Sequence, residues 1–146
     1  MKKDIINEVW QFNKAIHKRF VNEFGANGPY DISLMQGMIL MILHAREGEN
    51  LGAKELQEIF CLSKATISET LGGLESKGFI KVETSKEDKR RKDIVLTEKA
   101  KDYVVYGHDK FMKMEDDIAK GIDEEDLKTF RKVAKQMRRN VMGRRK

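Results

Sequence analysis

The chain has 146 residues, 36% of them charged, with a formal net charge of +5, one cysteine and one proline. That length fits a single domain, a lone cysteine excludes an internal disulfide framework, and no apolar run is long enough to span a bilayer. With no signal-like N-terminus in addition, the cytoplasm is the expected compartment.

Asp4 to Phe24 reads as a first helix, because Ile5, Val9, Phe12, Ile16 and Phe20 recur at helical spacing with Trp10 beside them. Gly25 to Pro29 ends it. Ser33 predicts the N-cap of a second helix through about Arg46, whose interior LMQGMILMILHA is apolar almost all round, as in a helix buried on several sides. Met35, Met38 and Met41 fit either plain core or an adjustable ligand pocket, since an unbranched thioether repacks readily.

Gly48 to Gly52 leads into a short helix, Ala53 to Phe60, with Leu51 available as a minimal extra strand for the sheet that follows. Cys61 and Leu62 make a tight turn, in which Cys61 reads as a small buried apolar residue. Ser63 to Gly78 is the next helix: Ser63 is a good N-cap, and Gly78 suits the left-handed position past the last turn. Ile67, Leu71 and Leu74 form an apolar stripe for Leu56, Ile59 and Phe60 to pack on, which leaves Lys64, Thr66, Ser68, Glu69 and Thr70 on the other side. Helix, turn and helix in this order place short polar side chains where a recognition helix reads base edges in the major groove. Gly72 and Gly73 adjoin inside this helix, which suits either close approach of another backbone or a bent helix.

Two short β-prone runs, FIKVETS and DIVLT, flank the charged segment KEDKRRK and predict a hairpin with a long loop. Lys86, Lys89, Arg90, Arg91 and Lys92 at its tip outnumber Glu87 and Asp88, so this basic finger suits phosphates or the minor groove beside the recognition helix. The two together make a winged helix. After Thr97, a further N-cap, Glu98 to about Lys120 is a long helix in which Ala100, Val104, Gly107, Phe111, Met114 and Ile118 step by four and three. Such a seam is exposed unless another helix covers it. Gly121 breaks the helix, Asp123 caps the last one, and Leu127, Phe130, Ala134, Met137 and Val141 repeat the spacing. The net positive charge concentrates at the wing tip and in Arg131, Lys132, Lys135, Arg138, Arg139, Arg144, Arg145 and Lys146, a run that suits either solvation or auxiliary phosphate contacts.

LESKGFI at 74 to 80, then Asp88 and Arg90, then Leu96, Thr97, Glu98 and Lys99, resemble the MarR family of transcriptional regulators in order and spacing. The resemblance extends over nearly the whole chain. It implies a mainly α fold with a small β-hairpin wing: a winged helix-turn-helix core at about 33–97 within one domain of residues 1–146, flanked by dimerisation helices at 1–24 and 98–142. It implies that Asp88 orients Arg90 into the minor groove, that Val104, Phe111, Phe130 and Met137 serve a homodimer, and that Trp10, Tyr30, Met38 or Phe111 meet a small aromatic or lipophilic effector. Glu69 departs from the family, which often has a basic residue there; it either accepts from a cytosine amino group or is a tolerated surface charge.

His17, His44 and His108 show no metal-ligand spacing, so neither a metal nor a cofactor is expected, and no local catalytic signature marks an enzyme. Relatives that sense oxidants carry their cysteine near the first helix, where this chain has none. The reading is a homodimeric regulator of duplex DNA, most simply a repressor at a pseudo-palindromic operator, with Lys64, Thr66, Ser68 and Thr70 reading bases and Lys86, Lys89, Arg90 and Arg91, with Asp88, serving the wing. An architectural binder of low sequence specificity and a winged-helix protein-interaction module are the alternatives.

Overall fold

Several helices begin where a side chain accepts from a free backbone amide. In a computed structural model that describes residues 4–25 and 28–143, α1 (Ile5–Phe24) is followed by α2 (Leu34–Ala45), α3 (Ala53–Phe60), α4 (Lys64–Ser76), β1 (Ile80–Thr84), β2 (Lys92–Leu96), α5 (Glu98–Ala119) and α6 (Glu124–Met142). Ser33 Oγ accepts from Gln36 N at 3.1 Å while Gln36 Oε1 accepts from Ser33 N at 3.2 Å, a reciprocal capping box. Ser63 Oγ accepts from Thr66 N at 3.1 Å, and Asp123 Oδ1 from Asp126 N at 2.9 Å. Gly78, at φ +81°, turns the chain out of α4 in the conformation that disfavours any residue with a Cβ. The expected basic run ends in Arg144, Arg145 and Lys146, which lie outside the described residues, as do residues 26–27 of the first loop.

The chain divides into two compact units, Met1–Val105 and Tyr106–Lys146. The first holds the core. Phe20 and Phe24 of α1 stack with ring centroids 4.6 Å apart, and Tyr103 meets Phe24, Tyr30 and Phe79 edge-on at 5.5–6.1 Å. Gly37 is where α2 admits this cluster: a Cβ there would stand 2.5 Å from Tyr103 Oη and 3.1 Å from Phe20 Cζ. Ile39, Leu40, Leu56, Ile67 and Leu74 complete the buried interior.

β1 and β2 form an antiparallel hairpin with Ile80 opposite Leu96 and Thr84 opposite Lys92. Leu51 is buried but adds no strand; the described sheet has two. Asn50 lies at φ +52°, and the Gly52 amide donates to Glu55 Oε2 at 2.8 Å, so local hydrogen bonding is spent on capping α3. Of the three α3 residues expected against α4, Leu56 is buried and Phe60 half-buried, whereas Ile59 is exposed. Cys61 is also exposed, contrary to the buried reading, because it occupies the left-handed C-cap of α3 at φ +54°.

The rear of α4 is tied down from three directions. Lys77 Nζ donates to Asp31 O at 2.7 Å and Gln36 Oε1 at 3.1 Å, Lys99 Nζ donates to Lys77 O at 2.6 Å, and Thr97 Oγ1 donates to Gly78 O at 2.6 Å. Gly73 accommodates the Gln36 amide, since a Cβ would come within 2.8 Å of Nε2, whereas at Gly72 a Cβ would meet nothing within 4 Å. Close approach within the chain therefore explains one of the two glycines.

Along the α5 seam, Ala100, Val104, Gly107 and Met114 are buried within the chain itself, Val104 to 5% exposure. Phe111 and Met137 are half-buried. Exposed apolar side chains include Ile5, Ile6, Val9, Trp10 and Phe12 on α1, Val105, Met112 and Ile118 on α5, and Phe130, Val133 and Val141 on α6.

Candidate nucleic-acid interface

Two elements of the first unit present polar side chains outward. On α4, Ile67, Leu71 and Leu74 are buried, while Lys64, Thr66 and Ser68 are exposed near the capped N-terminus. Thr66 and Thr70 are less available than their polarity suggests. Ser63 Oγ lies 3.0 Å from Thr66 Oγ1, and the half-buried Thr70 donates its hydroxyl to Thr66 O at 2.8 Å, which leaves Thr70 a methyl and acceptor lone pairs for any ligand. Lys64 and Ser68 keep their side chains outward.

The wing tip is built around two short side chains. Ser85, buried between the strands, accepts at Oγ from the Glu87 amide at 3.2 Å and the Asp88 amide at 3.4 Å, and its own amide donates to Arg91 O at 2.9 Å. Sequence reasoning passed over Ser85; a serine two and three residues before turn amides was the available signal. Asp88 Oδ1 then accepts from the Arg90 amide and from Arg90 Nε, and the Arg90 side chain is 93% exposed.

Arg91 faces elsewhere. Its guanidinium is 3.6 Å from Asp93 Oδ1 and 3.9 Å from Glu55 Oε1, so it leans from the wing toward α3 with two carboxylates beside it. Glu55 is held below the usual carboxylate range, first by a hydrogen bond from its own backbone amide and further by the Gly52 amide and the Arg91 charge, against an opposing effect of burial. Lys86 and Lys89 are exposed, and Lys92 Nζ donates to Thr84 Oγ1 at 3.2 Å.

The residues expected around an effector have separate surroundings. Tyr30 belongs to the aromatic cluster, Trp10 is exposed with Lys14 Nζ 5.5 Å from its ring centroid, Met38 is exposed on α2, and Phe111 lies in the second unit. Two shallow surface hollows run along single helices, α1 and α6, and none of these four residues lines them. Among the described residues no three His, Cys, Asp or Glu side chains are gathered as metal ligands, and no helix is long and apolar enough to cross a membrane.

A family model described as the MarR family matches residues 32–92, the stretch from α2 to the start of β2. Among solved structures, the MepR–DNA complex of S. aureus is 22% identical, covers 97% of this chain and 98% of its own, and superposes with a TM-score of 0.79. The transcription regulator MarR from Oenococcus oeni is 21% identical over 92% and 98% of the two chains, with a TM-score of 0.80. The heme sensor PefR from Streptococcus agalactiae, in complex with heme, is 26% identical over 93% and 88%, with a TM-score of 0.57. Residues 32–92 thus match the model of the MarR family, and the chain has the winged helix-turn-helix fold seen in the MarR transcription regulators.

Proposed function

We propose that the chain is a homodimeric repressor that binds a pseudo-palindromic operator in duplex DNA and is released from it by a small aromatic or lipophilic effector. The observation that carries this reading is Arg90, oriented by Asp88 and held out at the wing tip in the same unit as a capped helix with a polar outer face. Lys64, Ser68 and Thr66 face outward to meet base edges, Thr70 offers a methyl and lone pairs, and Lys86 and Lys89 supply phosphate contacts. That S. aureus MepR, of the same fold, is seen with DNA supports the reading.

Exposed apolar side chains on α1 and α6 support a homodimer, because a solitary chain would leave Trp10, Phe130 and Val141 in water. A two-fold dimer predicts half-sites about 10 base pairs apart, centre to centre. The effector acts by favouring a dimer whose readers fit the operator poorly, since only differential affinity for two states shifts their balance. PefR in complex with heme supports a flat lipophilic ligand; Trp10 and Met38, exposed in the first unit, are where substitutions are first made.

The test is selection from random duplex DNA, then titration of the selected site and a scrambled control at one salt concentration, since phosphate contacts make affinities salt-dependent. A pseudo-palindrome preferred by about a thousandfold or more supports a site-specific regulator. Equal binding to both duplexes would replace it with an architectural role.

A further inference from the structure

Glu69 stands at the middle of the face that α4 turns outward. Ile67, Leu71 and Leu74 define the buried side. With about 100° between successive residues, the stripe opposite runs through Ala65, Glu69, Gly72 and Ser76, at i, i+4, i+7 and i+11. All four are exposed, and Glu69 is the one long side chain among them. Its carboxylate makes no hydrogen bond or ion pair among the described residues.

Two neighbouring facts point outward. Gly72, one turn on from Glu69, is a poor helix former with no reason inside the chain to be glycine, for a Cβ there would meet nothing within 4 Å. The Thr70 hydroxyl is committed as a donor to the helix backbone. The centre of the face therefore offers an acceptor on a closely approachable backbone.

We infer that Glu69 reads a cytosine in each operator half-site, its carboxylate accepting from the N4 amino group in the major groove while Ala65 and Gly72 let the helix backbone come close to the base edges. The inference rests on the DNA-binding reading above. Base chemistry makes the choice. Guanine presents two acceptors and thymine an acceptor and a methyl, all unfavourable to a carboxylate, and adenine sets the N7 acceptor beside its amino group; cytosine presents the donor alone. Between phosphates an unsatisfied carboxylate is repelled, so Glu69 also weakens binding to every site that lacks the cytosine.

The experiment is parallel selection from random duplex with the full chain, as wild type, Glu69→Gln and Glu69→Ala, with thermal unfolding confirming that each exposed-site variant is folded. The wild type should select cytosine at one position per half-site and lose about tenfold in affinity when that pair is changed to T·A. Glu69→Gln should move the preference at that position to adenine, the base glutamine pairs with through N6 and N7, and Glu69→Ala should leave it undefined. Both variants should hold scrambled duplex more tightly than the wild type. A wild-type site without a cytosine in its half-sites, or an unchanged site in both variants, would overturn the assignment of Glu69 and leave the DNA-binding reading standing. No enrichment of any duplex by the wild type would overturn both.

Discussion

Asp88 Oδ1 accepts from the Arg90 backbone amide at 3.0 Å and from the same residue's Nε at 3.4 Å. One carboxylate oxygen therefore shapes the turn and sets the direction of the guanidinium that leaves it. Because the pair is solvent-exposed it adds little to stability, so its loss should show in binding. Arg90→Ala should lower operator affinity on the order of tenfold with an unchanged melting temperature. Asp88→Ala should cost less, since the guanidinium remains but loses its aim. Unaltered titrations for Arg90→Ala would remove the wing from the interface.

Gly72→Ala should separate stability from function. Open space around the missing Cβ allows alanine without a clash, and the helix should gain up to ~1 kcal/mol. If the glycine serves a close approach to the groove, the selected operator should nonetheless be bound more weakly. Chemical denaturation and DNA titration on the same preparation check the opposite signs.

Phe130→Asp and Val104→Asp should fail in different ways. Phe130 is 57% exposed, so a carboxylate there meets water in the single chain and is disfavoured only under a partner. Light scattering should find Phe130→Asp folded and monomeric. Val104 is covered by its own chain, and the aspartate there should unfold the protein by burying a charge.

Gly37→Ala should destabilise the first unit by ~1–3 kcal/mol, the usual cost of overpacking, because the new methyl would fall 2.5 Å from Tyr103 Oη inside the aromatic cluster. A shifted urea midpoint is the expected result.

Glu55 gives the acid limb of stability one identifiable contributor. Its folded-state pKa is depressed, so its stabilisation is present above the unfolded-state value and is lost as pH falls through the folded value. Glu55→Gln should flatten the loss of stability on the acid side of the ordinary carboxylate range and leave neutral pH with a small deficit, since the group is partly exposed. Urea titrations at stepped pH, with the Glu55 carboxyl followed by NMR, measure both.

Local chemistry was readable from the sequence wherever one residue suffices to decide it. Ser33, Ser63 and Asp123 cap helices because a side-chain oxygen lies within reach of a free amide whatever the rest of the chain does. Periodicity identified the α5 seam but gave only a face, and what covers a face is a tertiary fact; Val104 turned out to be covered at home. The left-handed backbone at Cys61, which turns its thiol to solvent, and the lean of Arg91 toward Glu55 depend on backbone angles that composition does not encode. At the candidate interface, the outward set on α4 could be named in advance, whereas the engagement of Thr66 and Thr70 within the helix and the open space at Gly72 required coordinates.

The bonds of Lys77, Lys99 and Thr97 gather at the rear of α4, while forward of Leu71 only Ile67 is buried. On the proposed reading, foldability and vocabulary are thereby written in different letters of the same helix. A gene copy could exchange Lys64, Ala65, Ser68 or Glu69 and acquire a new DNA target while inheriting a supported scaffold, so that its target would diverge faster than its shape.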